Sequence, residues 1–258
     1  MAANRLKCEE TDVKAGVREI RIDRAHKLNA LDRDQIDRVR REMESASVDA
    51  DARVVVLRGA GGRSFVGGAD LHELVALDPE SARAFITALH EMIQAVRDCP
   101  VPVIAAIDGF CIGAGMELAA ACDIRVASED ASFAMPEVKV GIPSVIEAVL
   151  LPRLIGWGRT SYLVMTGETI DAVTADHWGF LERLVPADEF EAAVEAVVDA
   201  ILESGPRAVR DQKALTRRWE GVTLDQAIQA GIDAFGKAFE ADEPAEYLGR
   251  AVDRLRRR

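Results

Sequence analysis

The sequence predicts a mixed α/β fold with parallel strands and a helical C-terminal region. Short β-branched runs recur, a glycine-bearing loop and a stretch of helical spacing follow each, and helical patterning predominates from Ser144 onward. Val17 to Ile22 alternates apolar and charged residues, as a half-buried strand does. Asp32 followed by Gln35 has capping-box spacing and opens a helix to about Ser47. Val54 to Leu57 is a β-branched run ending at Gly59, which suits a buried strand, and Gly59 to Gly68 reads as loop. Pro79 to Cys99 has helical spacing, with the proline where a first turn tolerates it. Val103 to Ile107 reads as a second buried strand, Gly113 to Cys122 as a tightly packed helix of small residues, and Asp123 to Ala127 as another strand.

At 258 residues the chain is long enough for one large domain or two small ones. No linker rich in Pro, Ser or Gly divides it. The expected organisation is an α/β core over 1–199 and a helical region over 200–258, packed against that core or against a neighbouring subunit. Hydrophobic residues make up 49% and charged residues 29%, the balance of a soluble globular protein. A net charge of -12 argues against a nucleic-acid partner, because such proteins gather positive charge on one face. Arg250, Arg254, Arg256, Arg257 and Arg258 form a local basic cluster, readable as a solvated helix end or as a contact for a ligand phosphate. The opening MAANRLKCEETD lacks the apolar core of a secretory leader, and no uncharged run is long enough to span a membrane. A cytoplasmic location and no membrane partner are expected. Cys8, Cys99, Cys111 and Cys122 lack CxxC pairing and read as reduced thiols, and four scattered histidines give a metal site little support. No metal is expected.

Chemistry concentrates in Ile107 to Ala127, where Glu117 sits among small apolar residues. A buried carboxylate is costly unless partnered, so Glu117 is hydrogen-bonded structurally, surface-facing, or kept reactive with a perturbed pKa. Gly113, Ala114 and Gly115 precede it where strand gives way to helix, and the unpaired N–H groups of a helix start point outward there. Such groups hold a phosphate or stabilise the oxygen of a thioester as it becomes an enolate. Gly109, Gly113 and Gly115 also match a dinucleotide-binding pattern of short-chain dehydrogenases. That pattern belongs near the N-terminus and needs a Tyr-x-x-x-Lys pair, whereas Tyr162 is followed by Thr166 and Tyr247 by Ala251. A second loop, Ser64 to Leu71, has paired glycines and an Asp70 suited to capping a helix. Two amides from two loops make an oxyanion hole. Glu137 follows a proline and precedes an apolar stretch. Ser144 and Glu147 have capping-box spacing, so Glu147 is expected to cap a helix, with a third acidic group in the pocket as the other reading.

KLNAL at 27–31, SFVGGADL at 64–71, GAGMELAAACD at 113–123 and MPEVKVGIP at 135–143 resemble the enoyl-CoA hydratase/isomerase (crotonase) superfamily in content, order and separation. The resemblance spans about 15–185. It implies a spiral of ββα units with a helical C-terminal region, assembled as a homotrimer or homohexamer. It implies an acyl-CoA thioester as substrate, and no cofactor beyond the coenzyme A that the substrate carries. The oxyanion-hole amides would be those of Ala69 and Ala114. Gly68, Ala69, Asp70, Leu71, His72, Gly113 and Ala114 would bind substrate and coenzyme A. Glu117 and Glu137 match the family's two catalytic carboxylates, which implies hydration of a 2-enoyl thioester. In that reading Glu117 deprotonates the water and Glu137 supplies the α proton. A family isomerase needs one strong acid/base glutamate and is the neighbouring alternative; a non-catalytic acyl-CoA-binding protein is the more distant one. Where many hydratases continue with a glycine-rich loop, this chain has SVIEAVLLPRLIG at 144–156, which implies a different acyl pocket.

Overall fold

The computed structural model describes residues 14–256, so the expectations placed on the N-terminal dodecapeptide, Cys8, Arg257 and Arg258 lie outside the described residues. The chain begins with β1 (Val17–Ile22), α1 (Arg33–Val48), β2 (Val54–Gly59), β3 (Ser64–Val66), a short α2 (Leu71–Leu74) and α3 (Pro79–Asp98). A second turn holds β4 (Val103–Ile107), β5 (Phe110–Ile112) and α4 (Ala114–Ala121), and a third begins with β6 (Ile124–Ser128) and β7 (Ser132–Ala134). Two 3-10 segments, Glu137–Val140 and Ile146–Leu150, lead to α5 (Leu151–Ile155), α6 (Trp157–Thr166), β8 (Thr169–Asp171), α7 (Ala172–Trp178) and β9 (Arg183–Val185). Four helices follow: α8 (Phe190–Leu202), α9 (Pro206–Trp219), α10 (Leu224–Ala238) and α11 (Glu243–Arg256).

The strands β1, β2, β4, β6 and β9 form one all-parallel sheet in that order, while β3, β5, β7 and β8 form a second. Among the described residues only the β7–β8 pair is antiparallel. Parallel neighbours require a crossover, and after β1 each turn of this chain lays one strand in each sheet before crossing back. The path is therefore a spiral of ββα units. In β2, Val55 and Leu57 face the larger core with α1, α3 and α4, while Val54 and Val56 face Phe190, Val194 and Val198 of α8. Burial on both faces explains why its sequence is an unbroken apolar run. Such a side chain contributes roughly 1.5–3 kcal/mol when fully buried.

Asp32 caps α1 by accepting from the Gln35 N–H at 2.8 Å, but the Gln35 side chain bonds Arg38 instead of closing the box. The expected loop Gly59 to Gly68 contains β3, and β5 and β7 are likewise three-residue strands too short to show a period. The expected division at 199/200 falls inside α8, whose apolar face already belongs to the core. Helix α9 is pinned by Lys213, whose buried ammonium donates to the Val101 carbonyl and pairs with Asp123 at 2.7 Å. Cys99, Cys111 and Cys122 are buried free thiols. No helix among the described residues is long and apolar enough to cross a membrane.

Candidate active site

Two loops meet at one cavity because α4 lies directly on β3. A Cβ on Gly115 would strike the Val66 carbonyl oxygen and stand 2.8 Å from the Val66 Cβ, so only glycine lets the helix approach this closely. Gly113, at φ 53° and ψ -117°, turns β5 into that helix. A side chain there would collide with the Glu137 carboxylate. The loop leaving β3 passes the same point, with the Gly68 Cα close enough that an added Cβ would sit 3.4 Å from the Ile112 carbonyl oxygen.

KLNAL holds the first loop from behind. The Gly67 N–H donates to the Leu28 carbonyl, the Leu31 N–H to Gly68 and the Asp70 N–H to Leu31, so the backbone from 67 to 70 is gripped on both sides of Ala69. Asn29 is fully buried; its amide nitrogen donates to the carbonyls of Ala60 and Ser64, and its oxygen accepts from the Arg24 N–H. Asp70 accepts from the His72 N–H at 2.8 Å and pairs with Arg24 at 2.5 Å, and that guanidinium holds its carboxyl below the usual carboxylate range. The capping role expected for Asp70 is the one found. Among the described residues no protein acceptor meets the N–H of Ala69, and Ala114 opens its helix with its N–H unpaired.

The cavity is about 240 Å³ and is walled by both loops, by Phe85, Ile86 and Leu89 of α3, and by Ile142 and Val145. Gly68, Ala69, Leu71, Gly113, Ala114, Glu117 and Glu137 line it. Asp70 and His72 do not: Asp70 is turned to Arg24, and His72 lies on the exposed surface of α2. The apolar wall from α3 was not singled out from sequence, although residues 85, 86 and 89 sit at helical spacing on that segment. A larger hollow of about 500 Å³ beneath α9 is bordered by ions already paired with one another, such as Lys213 with Asp123 and Arg97 with Glu220.

Glu117 is 4% exposed. Burial first, then the charge of Glu137 and more weakly that of Glu147, push its carboxyl from 4.5 up to about 8, against an Ala148 N–H that donates to Oε1 at 3.2 Å. Glu117 therefore favours its protonated form at neutral pH in the unliganded site, whereas the sequence reading made Glu117 the base. Glu137 accepts from the Ser144 hydroxyl at 2.7 Å. Glu147 does not cap a helix. The segment Ile146–Leu150 has Val145 at its cap position and no side-chain cap bond, Ser144 is engaged by Glu137, and Glu147 is buried against His90. The spacing fitted a capping box, but the chain turns at Ile146 and carries the carboxylate inward. No cluster of three or more potential metal-ligating side chains occurs among the described residues.

A spirally wound α/β chain with two loop amides and two carboxyls on one apolar cavity has the architecture of the crotonase class. The chain belongs to the enoyl-CoA hydratase/isomerase family, whose model matches residues 12–253. It is 33% identical over 228 residues to the crotonyl-CoA hydratase of Syntrophomonas wolfei, covering 88% of each chain. It is 32% identical over 239 residues to the short-chain-enoyl-CoA hydratase of Clostridium acetobutylicum, covering 91% of this chain and 90% of that one. The crystal structure of enoyl-CoA hydratase from Bacillus anthracis superimposes with a TM-score of 0.90 at 32% identity, covering 93% of both chains.

Proposed function

We propose that this protein is an enoyl-CoA hydratase, adding water across the 2,3 double bond of a 2-enoyl-CoA to give a 3-hydroxyacyl-CoA. The observation that carries the reading is that Glu117, Glu137, Ala69 and Ala114 line a single cavity, with no protein acceptor on either alanine N–H among the described residues. Addition places negative charge on the thioester oxygen, and the N–H groups of Ala69 and Ala114 would receive it. The water needs a base and the α carbon an acid, and a carboxyl pair holding one proton supplies both. With the proton on Glu117, Glu137 takes the water's proton and Glu117 protonates the α carbon. The order expected from sequence requires the proton to pass to Glu137 before addition. Leu71, Gly68 and Gly113 would border the thioester, and the α3 wall would hold the acyl chain. No cofactor is needed beyond the coenzyme A of the substrate. The reading includes a cytoplasmic homotrimer or homohexamer.

The test is a spectrophotometric screen of short, medium, branched and aromatic enoyl-CoA esters. Glu117→Gln and Glu137→Gln should each lower hydration about 100-fold or more while calorimetry still detects CoA-ester binding. Loss on the Glu137 change alone would make the protein a double-bond isomerase. Binding without turnover of any ester by the unmodified protein would make it a carrier.

A further inference from the structure

Glu147 is a third buried carboxyl, one residue before the Ala148 N–H that bonds Glu117, and the hydration scheme has no task for it. It is 5% exposed, and its Oε2 meets no hydrogen-bond partner among the described residues. A buried carboxylate left half-satisfied costs free energy that a purely structural residue would avoid. Its neighbour Ile146 has φ 39°, the left-handed region that β-branched residues shun. That turn delivers two groups to the site at once. The Ala148 N–H reaches Glu117 Oε1 at 3.2 Å, and the buried Glu147 carboxylate is carried by the residue before that donor, where its charge opposes ionisation of Glu117. From the opposite side, Nδ1 of His90 on α3 meets Glu147 Oε1 at 2.7 Å, and the imidazole remains half open to solvent.

We propose that Glu147, clamped by His90, is a positioning residue for the acid/base chemistry of Glu117. The inference rests on the acid/base role given to Glu117 above. It works in two ways. The clamp fixes the 3-10 segment and hence the Ala148 donor that orients Glu117. The negative charge of Glu147 adds to that of Glu137 in opposing ionisation of Glu117, which favours the protonated form. The charged and titratable groups around this chain are few. Glu117 faces Glu137 and is opposed by the charge of Glu147, Lys139 lines the same cavity, Glu147 faces His90, and the groove beside His90 carries Arg40 and Glu44 of α1 with Glu91 and Asp98 of α3.

Glu147→Gln retains the shape of the side chain and removes its charge. In the unliganded protein, infrared difference titration should identify Glu117 as the protonated-carboxyl band missing from Glu117→Gln. In Glu147→Gln the midpoint of that band should fall by about one pH unit, because a like charge has been removed. With an enoyl-CoA substrate, kcat should fall roughly tenfold with KM within about twofold, and the pH profile should move the same way. His90→Gln changes a half-exposed side chain and keeps the test open if Glu147→Gln does not fold; loosening the clamp should lower kcat about threefold or more at unchanged KM. An unmoved midpoint in Glu147→Gln, or unaltered kcat and pH profile in both variants, overturns the inference. If the unmodified protein hydrates no ester, the functional reading fails by itself, while the titration of the free protein still decides the coupling between Glu147 and Glu117.

Discussion

Glu117 binds its proton more tightly in the folded chain than an unfolded glutamate does, and stability must reflect that difference. Between pH 4.5 and about 8 the folded state holds the proton that the unfolded state has released. The stabilisation from this group is thus fully present below pH 4.5 and is lost as the pH rises through about 8. Its full size is on the order of 5 kcal/mol. Glu117→Gln, which never ionises, should gain melting temperature relative to the unmodified protein as the pH is raised from 5 to 9. Parallel melting curves across that range would mean that Glu117 is ionised in the fold. Glu117 stands out in the sequence because it interrupts a small apolar run, while Glu137, an ordinary loop glutamate by itself, stands out only through the resemblance of its motif to the family. Glu147 does not stand out: its spacing from Ser144 matches a local rule, and a positive φ at an isoleucine is a tertiary effect that no local rule assigns.

The position of α4 depends on one glycine. Gly115→Ala should force the helix away from β3, lower stability by about 1–3 kcal/mol and reduce kcat more than KM, because the Ala114 amide moves with the helix start. Denaturant titration alongside steady-state kinetics checks this; unchanged kcat would separate the helix position from the proposed oxyanion site. The long elements α1, α3, β1, β2 and β4 were readable to within a residue or two because each spans enough positions to display its period. The strands β3, β5 and β7 were hidden because three residues show no period, and their pairing partners are far away in sequence. The grip of Asn29 on Ala60 and Ser64 was hidden for the same reason: KLNAL marked a motif, while its hydrogen bonds exist only once β2 and β3 are in place.

Helices α10 and α11 carry an apolar stripe that nothing covers among the described residues, including Ile228, Ile232, Phe235 and Phe239 on one and Leu248, Val252 and Leu255 on the other. Spacings of three and four residues put each set on one helix face. Uncovered apolar surface of this kind marks an interface, and it supports the proposed homotrimer or homohexamer. Phe235→Glu should convert the assembly to a smaller species in sedimentation velocity, with far-ultraviolet circular dichroism unchanged; a monomeric unmodified protein would remove the assembly from the proposal. The negative balance of the whole chain was readable directly, but the partition into core and tail was not. Composition does not change at residue 199, and α8 closes the outer face of the parallel sheet across that point.

In both sheets the spatial order of strands follows their order along the chain. Each new strand joins the edge left by the one before it, and no later segment must be threaded between two earlier ones. A polypeptide emerging from the ribosome can therefore wind up turn by turn, with the loop at 67–70 braced by KLNAL before α4 has been synthesised. The enzyme's own sequence order serves as its assembly schedule, much as in a solenoid that grows by stacking repeats.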